Sequence, residues 1–372
     1  MLSRNLRIAC RRYSQSVTTF RTSEISPAQQ NSNQIGLFYT LDNDLCKQLY
    51  GHGGLPKCFL KQTKTFTETT FMIRQPALEI IECIKATDFN KPAIRYVLHG
   101  EEGTGKSMTI AHLLHYAHQE GFLIIHVPWV SNWLRRVSRY KEMANSLTKE
   151  GFVDIPLDAA AWLLHFKTQN QHLLKSGELK VSKDYEWSKR EKTPAGSTLL
   201  ELIEHGIVRV KYACDVVDTL LHEVKLLSNT KQCKTFVAID GYNGFFNPLT
   251  NLHTPTKKKV APEEVTLTAS FLELTKNDWT NGVMLLSTDA IAHPEYEQES
   301  YLPKYLLYRK GFDHIDPFVP IEVSNYTEKE FMTCASYYRD RLWLRGSPDI
   351  EKELKITSAH NPYRFMELCA PL

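Results

Sequence analysis

No apolar segment in these 372 residues is long enough to cross a bilayer. The longest apolar stretch, Phe122–Val127, contains His126 and stops at Pro128, far short of the roughly 20 residues a spanning helix needs. The eight cysteines include no Cys-x-x-Cys pair and no spacing suited to zinc, which excludes a zinc or disulfide framework and fits a reducing compartment. Net charge is nearly absent too: 45 Lys and Arg stand against 42 Asp and Glu. That balance excludes a chain that is one large basic sponge for nucleic acid. With 42% hydrophobic and 23% charged residues, disordered, collagen-like and coiled-coil readings fall away as well.

The first 23 residues lack something else. They contain no acid before Glu24, but five arginines (Arg4, Arg7, Arg11, Arg12, Arg21) and many hydroxyls. Leu2, Leu6, Ile8 and Tyr13 follow a rough helical stripe opposite the arginines. This is the pattern of a mitochondrial presequence, with Arg11-Arg12-Tyr13-Ser14 resembling a matrix-protease site after Tyr13. Removing 1–13 takes four of the 45 basic residues and no acid, leaving 41 against 42, and a presequence reaching to 23 takes Arg21 as well. The expected location is the mitochondrial matrix.

Beyond that, residues 14–36 read as flexible and 50–65 as irregular. Gln75-Pro76 opens a helix. Short apolar runs at Ile94–Leu98, Phe122–Val127, Thr235–Ile239, Val283–Ser287 and Phe318–Val323 read as five buried strands. Helical patterns at 106–119, 157–174 and 198–228 separate them. Polar insertions fall near 175–196 and 247–264. Thr327 with Glu330 forms a capping box, and Asn361 with Pro362 starts a last helix. Strands alternating with helices predict a five-stranded parallel sheet with helices on both faces. The expected layout is an N-terminal extension (14–70), a nucleotide-binding domain (71–325) and a helical C-terminal subdomain (326–372).

Gly100-Glu101-Glu102-Gly103-Thr104-Gly105-Lys106-Ser107 matches G-x-x-x-x-G-K-[ST] in full. A strand runs directly into it and a helix directly out, as a phosphate-binding loop requires. Its glycines let backbone N–H groups face phosphate oxygens, and the helix N-terminus adds positive potential. The candidate nucleotide-binding set is Gly100, Glu102, Gly103, Thr104, Gly105, Lys106, Ser107 and Met108, with Arg74 as a weaker candidate. Lys106 reaches the β- and γ-phosphates. Ser107, together with Asp240 at the end of the third strand, faces Mg²⁺, Asp240 directly or through water. Fast ATPases carry a glutamate after that aspartate, whereas here Gly241 follows. Neither Glu101 nor Glu102 is placed on a water by the sequence, and no catalytic residue is assigned. Turnover is expected to be slow. Ser287-Thr288 occupies the position of a γ-phosphate sensor. Thr275-Lys276-Asn277-Asp278 imitates a guanine-reading box, but it precedes a strand instead of ending one and is set aside.

Several strings resemble the death-associated protein 3 family of the mitochondrial small ribosomal subunit. They are Met72–Glu79, Tyr96–Ser107, Leu123–Pro128, Ala238–Asn243, Ala261–Glu264, Lys276–Trp279, Gly311–Pro320, Val323–Tyr326 and Asn361-Pro362. The resemblance implies a P-loop NTPase core of the AAA-like, additional-strand type. It also implies GTP or GDP with Mg²⁺ as ligand, and small-subunit proteins and rRNA as partners. Family members are linked to apoptosis, which these residues do not address. The sequence alone leaves open guanine against adenine, and a free matrix NTPase acting as an assembly or remodelling factor is the rival reading. For a near-neutral chain, rRNA contact requires local patches: Trp133–Lys141, the loop 175–192 and Lys257–Lys259 are candidates.

Overall fold

A computed structural model describes residues 20–135, 143–248, 250–254, 257–290, 300–347 and 349–370. The expected presequence cleavage after Tyr13 and Arg136–Lys141 of one basic patch lie outside these. The elements, in chain order, begin with β1 (Phe38–Leu41), α1 (Asn43–Tyr50), α2 (Lys57–Phe66), β2 (Thr69–Met72) and α3 (Gln75–Ala86). The phosphate-loop strand β3 (Ile94–His99), α4 (Lys106–Gln119), β4 (Leu123–Val127) and α5 (Pro156–Gln169) follow. Then come α6 (Leu199–Val208), α7 (Ala213–Asn229), β5 (Thr235–Ile239), α8 (Thr266–Leu274) and β6 (Gly282–Ser287). The chain closes with α9 (Tyr308–Ile315), β7 (Val319–Glu322), α10 (Glu328–Asp340), α11 (Asp349–Ser358) and α12 (Pro362–Cys369).

Five strands form one parallel sheet in the order β7-β3-β6-β5-β4. Its strands are apolar almost throughout because both faces are covered. Alternation divides each strand between two cores. Tyr96 and Leu98 of β3, Phe236 and Ala238 of β5, and Val283 and Leu285 of β6 face α3 and α4. Val97, Val237, Ile239, Met284 and Leu286 face α5, α6, α7 and α8. The edge of β4 is covered by Asn170, whose amide bonds both the N–H and the C=O of Ile124, at 2.7 and 2.8 Å. In a parallel sheet all strand ends of one kind meet at one edge. Gly100, Pro128, Asp240, Thr288 and Val323 therefore gather there. β6 lies between the phosphate-loop strand and the Asp240 strand, which is the additional-strand arrangement.

Several elements depart from the sequence reading. Residues 20–36 are pinned down: Phe38 N–H donates to Phe20 O at 2.8 Å, and Arg21 pairs with Glu68 at 2.7 Å. Part of the stretch read as irregular is the helix α2. The antiparallel pair β1–β2 bridges the expected boundary at 70/71, with Thr40 opposite Thr70. Phe38 and Phe66 enter a third core with Phe331, Tyr337, Tyr338 and Phe365 of the C-terminal helices. The single helix expected over 198–228 is two, α6 and α7, broken at Arg209–Tyr212 and both packed on α5. The polar loop 175–196 holds a short hairpin, Tyr185–Glu186 with Lys192–Thr193. Its Ser182 and Tyr185 hydroxyls reach the fully buried Glu223 at 2.7 and 2.5 Å, and Trp187 stacks on His205. All seven described cysteines are free thiols. No described helix is long and apolar enough to cross a membrane.

Burial also fixes the charge of several histidines. His112 and His165 are pushed down to about 3, and His126 is also lowered, all chiefly by desolvation. Gln30 Oε1 accepts from His112 Nε2 at 2.8 Å. A histidine depressed in the folded state takes its proton more readily when unfolded. Its stabilisation is whole above the unfolded value near 6.5 and is lost as pH falls towards 3. At pH 5 His112 and His165 each remove about 2 kcal/mol. Urea midpoints measured from pH 8 to 4.5 should be flat down to about pH 7 and then fall steadily. A midpoint equal at pH 7 and 5 contradicts this.

Candidate functional site

The loop between β3 and α4 takes a shape that only glycine tolerates at three places: φ is +136° at Gly100, +82° at Gly103 and +103° at Gly105. Crowding adds to the requirement. A Cβ at Gly100 would sit 2.4 Å from Val323 O, and one at Gly103 2.6 Å from Asn361 Oδ1. Each loop carbonyl accepts from a protein donor. Lys106 Nζ donates to Gly100 O and Glu101 O, both at 2.7 Å. Asn361 Nδ2 donates to Glu102 O at 2.9 Å, Tyr363 N–H to Gly103 O at 3.1 Å and Arg74 Nη1 to Thr104 O at 2.6 Å. Thr109 N–H bonds Gly105 O at 2.9 Å inside the first turn of α4. In a trans peptide the N–H points opposite the preceding C=O. Holding the carbonyls of Glu102, Gly103 and Thr104 therefore turns the N–H groups of Gly103, Thr104 and Gly105 the other way, where an anion can be cradled.

Across the loop, Ser107 Oγ donates to Asp240 Oδ2 at 2.5 Å. The Ser287 hydroxyl holds the other carboxylate oxygen and accepts Gly241 N–H at 3.0 Å. Burial pushes the Asp240 carboxyl up, against the two hydroxyls that lower it. Burial pushes Lys106 down, and the Asp289 and Asp240 carboxylates oppose that. A hydroxyl and a carboxylate side by side are hard oxygen donors. They suit a Mg²⁺ held by one or two protein groups plus phosphates.

The loop opens into a cavity of about 840 Å³. Lys106, Ser107, Asp240, Thr288 and Asp289 line its end beside the loop. Met108, Tyr326, Tyr338, Tyr363, Met366 and the Gly53–Gln62 segment line the other. The candidate residues Gly103, Gly105, Lys106, Ser107, Met108, Glu102 and Asp240 all meet here, whereas Thr104 is buried and Gly100 sits beneath the loop. Arg74 has a different occupation. Its guanidinium bonds Glu330 Oε1 at 3.0 Å, Thr104 O, Ser324 O at 2.9 Å and Asn325 O at 3.3 Å. It ties loop to C-terminal subdomain and has little left for a base. Of the two residues at the expected sensor position, Ser287 is engaged by Asp240 and the Thr288 hydroxyl bonds Leu98 O at 3.3 Å. Thr275–Asp278 lies at the far edge of the sheet, before β6. Trp133 and Leu134 are core residues and do not face outward, while Lys257–Lys259 and the lysines of 175–192 are exposed.

Three contributors gave no local signal: Asp289, Trp129 and Asn361 in its contact with the loop. Trp129 Nε1 donates to Asp289 Oδ2 at 2.7 Å. Asp289 is a polar residue just past a strand end, and its place depends on an indole 160 positions earlier.

Sheet order, loop and buried aspartate define an α/β P-loop NTPase fold of the additional-strand type. Within that class, residues 71–368 match the family described as mitochondrial ribosomal death-associated protein 3, and the chain belongs to this family. It is 38% identical over 356 residues to the "Small ribosomal subunit protein mS29" of Bos taurus, covering 95% of this chain and 88% of the bovine protein. The protein of the same name from Mus musculus is 36% identical over 359 residues, covering 95% and 90%. The structure of the Aeropyrum pernix ORC2 protein in ADPNP–ADP complexes aligns at TM-score 0.33 and 12% identity, over 88% of this chain and 65% of that one.

The Arg74–Glu330 pair is deeply buried, with side-chain exposures of 11% and 3%. Arg74→Met leaves a buried carboxylate uncompensated and frees the Thr104 carbonyl. It should destabilise by about 3–5 kcal/mol, read from urea unfolding, and expose residues 326–370 to limited proteolysis. Wild-type stability and unchanged proteolysis would remove Arg74 from this role.

Proposed function

We propose that this protein is a structural, nucleotide-binding component of the mitochondrial small ribosomal subunit, holding GTP or GDP with Mg²⁺ and hydrolysing it slowly. The observation that carries the nucleotide reading is the loop whose carbonyls are all occupied by the protein itself, leaving its N–H side for phosphate. Lys106 supplies charge towards the β- and γ-phosphates. Ser107 and Asp240 hold Mg²⁺, which screens the phosphate charge. The aromatic and sulfur-bearing end of the cavity suits a purine face, and guanine is the base that the family resemblance implies. Gly241 favours slow turnover, because it provides no side chain to orient water. Ribosomal residence is supported by family membership and by the names of the bovine and murine relatives. In a near-neutral mature chain, the exposed lysines of 175–192 and Lys257–Lys259 are the patches suited to rRNA phosphates. The presequence pattern accords with a matrix location.

Nucleotide should stabilise the fold by about 2.7 kcal/mol at 100 times its dissociation constant. Purified wild type should release close to one guanine nucleotide per chain on denaturation. Lys106→Ala should release none, melt at lower temperature and enter the small subunit poorly in sedimentation after a high-salt wash. Lys106→Ala protein that keeps a full complement of nucleotide rejects the phosphate-loop reading.

A further inference from the structure

The residue after Asp240 is the usual source of a water-orienting carboxylate, and here it is glycine. A side chain there is strained and crowded. Gly241 has φ +71°, and a Cβ built on it lies 3.1 Å from Trp129 Cδ1 and 3.5 Å from Asp289 Cβ. The space beside Asp240 is already filled by an indole and by another carboxyl side chain. That side chain arrives from the neighbouring strand, two residues past the end of β6. Its backbone is clamped from both sides by one amide: Asn243 Nδ2 donates to Asp289 O at 2.8 Å, and Asp289 N–H donates to Asn243 Oδ1 at 2.9 Å. Asn243 is itself fully buried. The carboxylate is aimed by the Trp129 indole N–H at 2.7 Å. Asp289 lines the end of the cavity beside the loop with Lys106, Ser107 and Asp240. Its charge, with that of Asp240, opposes the desolvation of Lys106.

We propose that Asp289 supplies, from β6, the water-orienting carboxylate that Gly241 omits, and that Trp129 holds it in position. This rests on the nucleotide reading above. In the step, the attacking water donates a hydrogen bond to Asp289 while its oxygen forms a bond to the γ-phosphorus. The bond from that phosphorus to the β–γ bridging oxygen breaks, and its electron pair stays with the nucleoside diphosphate. The water's proton ends on the inorganic phosphate. The rate is low because aspartate is one methylene shorter than glutamate and its carboxylate is already held by Trp129.

The test uses the full chain loaded with Mg²⁺ and γ-labelled GTP, with bound nucleotide counted before single-turnover hydrolysis is followed. Full proton transfer to a positioned side chain is worth roughly 10²–10⁴ in rate, and a carboxylate that only orients the water supplies the lower part of that range. Asp289→Asn should therefore slow hydrolysis at least tenfold at equal occupancy, and nucleotide extracted from the purified variant should shift from diphosphate to triphosphate. Trp129→Phe, which keeps an aromatic ring and removes the indole N–H, should slow hydrolysis several-fold with occupancy unchanged. Wild-type rates in Asp289→Asn at equal occupancy overturn the proposal. So does a wild type that leaves its bound triphosphate intact. If Asp289→Asn fails to fold or load, an unchanged rate in Trp129→Phe overturns it. A wild type with no bound nucleotide is a separate result: it sinks the nucleotide reading itself, together with this one.

Discussion

The structure depends on how the carbonyls of Gly100–Gly105 are satisfied. A loop of glycines at positive φ is unstable alone, since each buried C=O needs a donor. The donors come from places far apart in sequence: Lys106 from within, Arg74 from before β3, Asn361 and Tyr363 from the last helix. Once those bonds are made, the N–H groups of Gly103–Gly105 have one direction left. The cradle is thus a product of the whole chain, and the C-terminal subdomain acts as one of its walls.

This explains what the sequence reveals and what it hides. The phosphate loop is legible because everything that defines it is local: an apolar strand, three glycines and a helix start within about fourteen residues. Asp240 is legible for the same reason, as the acid closing a five-residue apolar strand. Arg74 is not, because its partners Glu330, Ser324 and Asn325 lie some 250 positions away. As an isolated arginine it suggests a ligand contact, whereas the structure makes it a tether. Asp289 is hidden by the same distance, since Trp129 and Asn243 give it its aim.

The elements misread share a physical cause. α2 buries only Gln62 and Phe66, so its helical stripe is faint against the lysines around it. The break between α6 and α7 is set by packing, because both lie against α5 and one straight helix could not. Gly206 marks the approach: a Cβ there would fall 2.5 Å from Leu163 Cδ1. By contrast, the capping boxes and proline starts were readable because a cap needs only its own first turn.

If nucleotide and C-terminal subdomain share one loop, occupancy must be felt at both ends of that contact. The direct measurement is amide hydrogen exchange on wild-type protein stripped of nucleotide and then reloaded with Mg²⁺ and GTP. Slower exchange is expected across Gly103–Met108 and, in the same experiment, across Ala359–Met366, whose Asn361 and Tyr363 hold the loop. Protection confined to the loop and Asp240, with Ala359–Met366 exchanging at one rate in both states, would contradict the account.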